Sequence, residues 1–311
     1  MPGSRRKPDP YAITPPPAGP RLPGASDVIV CEDVDAVIDR IAAEMVVQGL
    51  ECVRRFGDFH LALSGGRTPE PLYQRLMYDP ACRALPWRRT HLWLVDERLV
   101  PHDHAESNYR MIRETIVDHA DIPPEQVHPI STCSPACDEE YERELREHLM
   151  WREKGQDRLD FVLLGMGADG HTASLFPYSD AVNEDARLVR LNRGGQTPSP
   201  GRVTMTYPLL NSARYVAVMV TGFSKAETIR RVASARDTVQ ELPILGVRPT
   251  GGDLVWYLDR EAAGLGLQGQ GEGSSATGAE AGQPLTWRDR PGMDFDELEG
   301  DAPPFDENEF K

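Results

Sequence analysis

The chain has 311 residues, 40% of them hydrophobic and 27% charged, which is enough to bury one large core or two small ones. Its formal net charge of −15 argues against non-specific nucleic-acid binding, which needs a basic surface. No apolar run approaches the ~18 residues of a membrane span, so we expect neither a nucleic-acid partner nor a membrane.

Cysteine usage and the first residues bear on the compartment. The five cysteines are odd in number, and only Cys133 and Cys137 lie close together, without a second pair at metal-ligand spacing. We expect reduced thiols in a reducing compartment and no metal site. The opening MPGSRRKPDPYAITPPP has basic residues but no apolar segment, so we do not expect a secretory signal.

Composition divides the chain into four segments. Residues 1–26 are rich in proline, glycine and arginine and are predicted to be a disordered extension. Residues 27–263 form the predicted α/β domain, and 264–285 are a glycine- and serine-rich linker. Residues 286–311 are an acidic tail with spaced aromatic residues, which is either solvated or binds a protein partner on ordering.

Apolar runs of strand length alternate with helical patterns along the predicted domain. The predicted strands are VIVC (28–31), FHLALS (59–64), THLWLV (90–95), VHPI (127–130), LDFVLL (159–164), RVTMT (202–206), YVAVMV (215–220) and LVWYL (254–258). Three predicted helices begin after capping residues: Asp33 or Asp35, Thr68 with Pro69 in the first turn, and Ser107. A fourth predicted helix covers 138–151, and a fifth begins at Ser224. This alternation predicts a mostly parallel, twisted sheet covered by helices on both faces.

The segment 64–70, SGGRTPE, follows a predicted strand and opens a predicted helix. Backbone N–H groups and the helix dipole at such a turn form an anion or hydroxyl site; the alternative is a tight turn that binds nothing. Ser64 lacks the preceding Gly-x of a nucleophile elbow, so we do not expect it to be a nucleophile.

Three charged residues, Asp96, Glu97 and Arg98, follow the strand 90–95. They are either a solvated strand exit or residues of a site. The isolated cations Arg202, which opens a strand, and Lys225, near a helix start, are either surface charges or a phosphate clamp.

The segment GMGADGH (165–171) follows the strand LDFVLL. Its glycines match G-x-G-x-x-G, but Pro177 cuts the next helix short, so we do not expect a bound dinucleotide. Loops at the carboxyl ends of parallel strands usually carry the chemistry. We therefore interpret His171 as a general base beside Asp169, against the alternative of a structural loop histidine.

Six segments between about Val28 and Ala263 resemble, in order, the motifs of the lactonase branch of the glucosamine-6-phosphate isomerase/6-phosphogluconolactonase family. They are SGGRTPEPLY, VDERLVPHDHAESNYRMIRETI, LDFVLLGMGADGHTASLFP, RVTMTYPLLNSAR, TGFSKAETI and LVWYLDREAA. The resemblance implies a Rossmann-like three-layer α/β sandwich without metal or cofactor. It also implies a cytosolic enzyme that hydrolyses 6-phospho-D-glucono-1,5-lactone in the oxidative branch of the pentose phosphate pathway.

Roles for individual residues follow from this resemblance. His171 would activate water, with Asp169 orienting its ring, and the substrate would be bound by Ser64, Gly65, Gly66, Asp96, Arg98, Arg202 and Lys225. Arg98 and the N–H groups near Gly65 would stabilise the substrate or the oxyanion, and Arg202 and Lys225 would hold the 6-phosphate.

Two other functions remain open. A glucosamine-6-phosphate deaminase would carry an Asn-Glu-Pro triplet where this chain has Leu175-Phe176-Pro177, and Asp-Glu-Tyr in place of residues 96–98. A non-catalytic sugar-phosphate sensor would need a DNA-binding module, for which residues 1–26 are too short.

Overall fold

A parallel sheet of seven strands organises the computed structural model, which describes residues 19–265 except 151, 154, 194–197 and 199. The strand order is β1-β10-β9-β6-β2-β3-β5. The strands of this sheet are β1 (Asp27–Cys31), β2 (Phe59–Leu63), β3 (Thr90–Leu94), β5 (Val127–His128), β6 (Phe161–Gly165), β9 (Tyr215–Val220) and β10 (Asp253–Asp259). The predicted α/β class with a mostly parallel sheet is confirmed.

Strands β2 and β9 are buried at every residue. Continuous apolar runs of this kind are typical of central strands covered on both faces. The helices are α1 (Val34–Phe56), α2 (Glu70–Tyr78), α3 (Asn108–Ile112), α4 (Cys137–Leu149), α5 (Tyr207–Leu210) and α6 (Ala226–Ser234), with a π-helical turn at Arg113–Val117.

Helix termini test the predicted caps. The Asp33 carboxylate accepts from the Ala36 N–H, and the Ser107 hydroxyl accepts from the Arg110 N–H, as predicted. The predicted Thr68 cap is wrong, because α2 begins one residue later than expected. Pro69 is its N-cap residue and makes no side-chain cap bond.

A second, antiparallel sheet was not predicted. It contains β4 (Asp96–Arg98), β8 (Arg202–Met205) and β7 (Val189–Asn192) in the order β4-β8-β7. The sequence suggested a strand at 202–206 but not its direction, and three charged residues gave no apolar signal for β4. This sheet pairs Arg98 with Arg202 across β4 and β8.

The order of the parallel strands sets the position of a crevice. From β2 the chain continues to β3 and β5 on one side, then returns to β6 and proceeds to β9 and β10 on the other. Ligands of open α/β sheets bind outside the carboxyl ends of strands where the order reverses in this way. The loops after β2 and β6 meet at that point.

Residues 19–26, placed by the prediction in the N-terminal extension, contact the domain. Leu22 is buried, and the Ser26 N–H donates to the Leu254 carbonyl at 2.8 Å. The predicted linker and acidic tail lie outside the described residues except for Gly264 and Leu265. Among the helices of the described chain, none is long and apolar enough to cross a membrane.

Candidate active site

A cavity of about 260 Å³ lies at the carboxyl ends of β2 and β6. Its lining includes the predicted site residues Ser64, Gly65, Gly66, Asp96, Arg98, His171 and Lys225. A larger groove of about 750 Å³ runs along α4, but all three of its arginines pair with its own carboxylates, as Arg146 does with Glu142 at 2.7 Å. The cavity at the crevice is therefore the candidate active site.

The His171 ring is held by Asp169 at one edge of this cavity. His171 Nδ1 lies 2.6 Å from Asp169 Oδ1, and the His171 side chain is 34% exposed. A carboxylate only accepts hydrogen bonds, so Nδ1 carries the proton and Nε2 keeps a lone pair. Burial works against ionisation of Asp169, but the hydrogen bonds from His171 outweigh it and lower the pKa of Asp169.

The glycine loop makes this ring position possible. A Cβ at position 167 would lie 2.1 Å from His171 Nδ1, so only glycine fits there. Gly170 has φ +82° and would place a Cβ 2.2 Å from the Leu242 side chain. The loop therefore needs glycines for the histidine itself, a role distinct from that in a dinucleotide fingerprint.

The charged exit of β3 is not solvated. Asp96 is 7% exposed and Glu97 is fully buried. Asp96 Oδ2 accepts from the Ser174 hydroxyl at 2.6 Å, and its carbonyl accepts from Asn108 Nδ2 at 2.8 Å. Of the two readings offered by the sequence, the solvated exit is wrong for these two carboxylates.

Glu97 organises the start of α3 from inside the protein. Its carboxylate accepts from the backbone N–H groups of Asn108 at 2.7 Å and Tyr109 at 2.8 Å, and from the Ser107 hydroxyl at 3.0 Å. Burial raises the pKa of Glu97, and these hydrogen bonds oppose the rise. Glu97 thus positions Asn108 against the cavity without lining it.

Sequence reasoning missed Asn108 and Arg67 as lining residues. Asn108 seemed to be part of a helix start, which it is, yet its Oδ1 also lies where a Cβ on Gly65 would stand, 1.9 Å away. Asn108 Oδ1 and Arg98 Nε are buried and have no hydrogen-bond partner within the described chain. Unpaired buried polar atoms at a cavity are candidates for ligand contacts.

Ser64, in the glycine turn, already has hydrogen-bond partners for its hydroxyl and its carbonyl. The Ser64 hydroxyl donates to the Leu163 carbonyl at 2.8 Å, and the Ser64 carbonyl accepts from the Tyr73 hydroxyl at 2.5 Å. This arrangement fixes the turn between β2 and β6. It agrees with the prediction that Ser64 is not a nucleophile.

The predicted cations lie in different positions. Lys225 lines the cavity; burial lowers its pKa, and the charge of Asp169 opposes this. Arg202 does not line the cavity. It stands opposite Arg98 and donates to the carbonyls of Pro200 and Gly201, and burial followed by the charge of Arg98 lowers its pKa.

The sequence matches one protein family. Residues 32–256 match the family described as glucosamine-6-phosphate isomerases/6-phosphogluconolactonase. The chain is 36% identical over 240 residues to the Synechocystis protein named 6-phosphogluconolactonase, covering 76% of this chain and 95% of that one.

A longer relative is similar in sequence, and a solved structure is similar in fold. The human GDH/6PGL endoplasmic bifunctional protein is 40% identical over 236 residues, but the match spans only 29% of its length. The crystal structure of 6-phosphogluconolactonase from Thermotoga maritima superposes with a TM-score of 0.63 at 31% identity, covering 75% of this chain and 99% of that one.

Proposed function

Because this chain belongs to the glucosamine-6-phosphate isomerase/6-phosphogluconolactonase family, we propose that it hydrolyses 6-phospho-D-glucono-1,5-lactone to 6-phospho-D-gluconate. The observation that carries the proposal is His171, whose Nε2 makes no hydrogen bond within the described residues while Nδ1 is held 2.6 Å from Asp169 beside a cavity with cationic residues. A general base at that position suits hydrolysis of an activated ester.

The mechanism begins with water at the lactone carbonyl. His171 Nε2 takes a proton as the water oxygen bonds to C1, and the carbonyl oxygen becomes an oxyanion. When the bond between C1 and the ring oxygen breaks, the imidazolium returns the proton to that oxygen. Asp169 keeps the ring in the tautomer that accepts at Nε2 and stabilises the imidazolium, and each proton transfer typically contributes ~10²–10⁴ in rate.

The oxyanion and the sugar need polar partners. Arg98 Nε is buried and unpartnered within the described chain, and the backbone at Gly65 and Gly66 borders the same cavity. In the proposal these groups stabilise the developing negative charge. Asp96 and Asn108 Oδ1 accept hydrogen bonds from substrate hydroxyl groups.

The 6-phosphate binds at the cationic side of the cavity. Lys225 lines the cavity directly, whereas Arg202 reaches the phosphate only if its guanidinium leaves its backbone carbonyl partners. We assign the larger share of phosphate binding to Lys225. Because the phosphate does not react, these residues act on KM more than on kcat.

The proposed setting is the cytoplasm, in the oxidative branch of the pentose phosphate pathway. No described helix could span a membrane, and all five cysteines are free thiols, a state that suits a reducing compartment. The acidic tail is proposed to bind a protein partner, on its composition alone.

The residue that packs against His171 argues against the deaminase alternative. Phe176 packs its ring against His171, with centroids 4.8 Å apart, where that branch carries an acidic residue. A phenyl ring cannot transfer the proton that opening of an amino sugar requires. The cavity therefore favours hydrolysis over ring opening.

Substrate panels separate the three functions. We expect the wild type to release 6-phosphogluconate from freshly generated lactone well above the spontaneous rate, and to release no ammonia from glucosamine 6-phosphate. A folded protein that binds 6-phosphogluconate without accelerating hydrolysis would be a sensor, and ammonia release would identify a deaminase.

A further inference from the structure

A second cluster of titratable side chains lies beside the amino end of β3, outside the candidate active-site cavity. His91 is the second residue of β3, His128 the last of β5, and His148 lies near the end of α4. We call these three residues the histidine cluster. His128 is buried, whereas His91 and His148 are partly exposed, so an ion from solvent can reach the cluster.

The rings are spaced as ligands of one metal ion are. One ring nitrogen from each residue lies within 4.8 Å of the others. The ring centroids are 5.2 Å apart for His91–His128, 4.5 Å for His128–His148 and 5.4 Å for His91–His148. Rings that bind zinc at ~2.1 Å with tetrahedral angles have centres roughly 5 Å apart.

Glu144 on α4 orients two of these rings from behind. His128 Nδ1 lies 2.6 Å from Glu144 Oε1, and His148 Nδ1 lies 2.9 Å from the Glu144 carbonyl. Both oxygens only accept, so both Nδ1 atoms carry protons and both Nε2 atoms present lone pairs. Histidine ligands of metals are typically held by carboxylates or carbonyls in this way.

The ring nitrogen of His91 already faces that of His128. His91 Nδ1 and His128 Nε2 are 3.0 Å apart and share one proton. A divalent ion can take the place of this hydrogen bond if the His91 proton moves from Nδ1 to Nε2, which keeps His91 a neutral imidazole, and if the rings tilt so that the two nitrogens stand ~3.3 Å apart, the span of two ligands at a tetrahedral zinc. His148 brings a ring nitrogen within 4.8 Å of both.

We propose that the histidine cluster binds one Zn²⁺ or a similar first-row divalent ion through three imidazole nitrogens, with water as the fourth ligand. Neutral imidazoles suit zinc, copper, nickel and cobalt better than magnesium or calcium. The ion would tie the edge strand β5 and its neighbour β3 to α4, a structural role independent of the lactonase proposal.

A neighbouring group is the weaker candidate. Asp58, His60 and His91 also offer ligand atoms within 4.8 Å. However, Asp58 is paired with Arg152, and His60 Nδ1 accepts from the Trp93 indole at 3.1 Å. Both would have to give up partners, whereas the histidine cluster gives up only the hydrogen bond between His91 and His128.

The test titrates Zn²⁺ into metal-free wild type by calorimetry and records the visible spectrum with Co²⁺, which reports four-coordinate geometry. His148→Ala and His91→Ala each remove one ligand from a partly exposed position, so folding is checked by circular dichroism. His119→Ala is the matched control, since exposed His119 lies outside the cluster. His171→Asn controls for binding at the active site.

We expect one equivalent of Zn²⁺ to bind to the wild type and to both controls, and to raise their thermal midpoints. Either cluster variant should weaken binding at least ~100-fold, and Glu144→Gln about 10–100-fold. The proposal is overturned if the wild type binds no ion, or if His148→Ala and His91→Ala bind as the wild type does.

Discussion

Each end of the sheet has a histidine paired with a carboxylate at the same distance, but one histidine borders a cavity and the other is buried. His171 and Asp169 at the carboxyl end, and His128 and Glu144 at the amino end, each place Nδ1 2.6 Å from a carboxylate oxygen. His171 is 34% exposed and borders a cavity, whereas His128 is 1% exposed. The Nε2 of His128 is also engaged by His91.

A histidine held by a carboxylate is therefore not by itself a general base. A general base needs a free nitrogen within reach of a substrate, and the cavity offers one at His171. The His128 ring instead stacks on Trp93, with centroids 3.7 Å apart, inside the protein. Substitutions at the two ends should therefore affect different properties of the protein.

The largest expected effect is that of His171→Asn. Loss of the base should lower kcat by about 10²–10⁴-fold and leave the thermal midpoint close to that of the wild type, because the ring is partly exposed. Steady-state kinetics and a melting curve on the same preparation measure both. A variant with wild-type kcat would contradict the assignment of His171 as the base.

Asp169→Asn and Glu144→Gln break the two pairs in parallel. Asp169→Asn should lower kcat by about 10–100-fold, because the amide can hold the wrong tautomer of His171. Glu144→Gln should leave kcat within about twofold and lower the free energy of unfolding by ~1 kcal/mol. Equal kinetic losses in the two variants would remove the distinction between the ends.

Lys225→Ala tests phosphate binding at the carboxyl end. Loss of one charge-assisted contact of ~1.5–3 kcal/mol should raise KM for the lactone at least ~10-fold with little change in kcat. Arg230→Ala is the control on helix α6, which begins directly after Lys225, since Arg230 pairs at the surface with Glu227. A loss confined to kcat would place Lys225 in the chemical step instead.

The amino end also contains a half-buried ion pair, between Asp58 and Arg152, that makes stability depend on pH. Burial opposes ionisation of Asp58, but His60 and Arg152 outweigh it and hold the pKa of Asp58 well below its ordinary 3.8. As pH falls, the unfolded chain therefore binds this proton first. The stabilisation is complete at neutral pH and is lost as pH falls below about 4.

Asp58→Asn should accordingly cost ~1–3 kcal/mol of unfolding free energy at pH 7, since Arg152 keeps Asp160 as a second partner. The difference from the wild type should narrow as pH falls below about 4. Denaturant titrations at pH 7, 5, 4 and 3.5 measure it. A difference that stays constant with pH would show that Asp58 does not act through its charge.

The two ends were unequally predictable from sequence. Asp169 and His171 are two residues apart in a glycine-rich loop after an apolar run, so local pattern was enough to single them out. His128 and Glu144 are separated by 16 residues, and His91 by 37 more from His128. Only the pairing of β3 with β5 and the packing of α4 bring them together.

The antiparallel sheet could not be predicted from the sequence, for a related reason. Strand β4 consists of Asp96, Glu97 and Arg98, and its burial depends on hydrogen bonds from α3 and Ser174 rather than on apolar side chains. Hydrophobic periodicity cannot signal such a strand. The same network places Asn108 at the cavity, which its position at a helix start did not reveal.

The most direct test of the comparison measures hydrolysis of freshly generated 6-phospho-D-glucono-1,5-lactone by wild type, His171→Asn and Glu144→Gln against the spontaneous rate. We predict equal, strong acceleration by the wild type and Glu144→Gln, and a rate near the spontaneous background with His171→Asn. Wild-type acceleration by His171→Asn, or its loss in Glu144→Gln, would contradict a catalytic carboxyl end and a structural amino end.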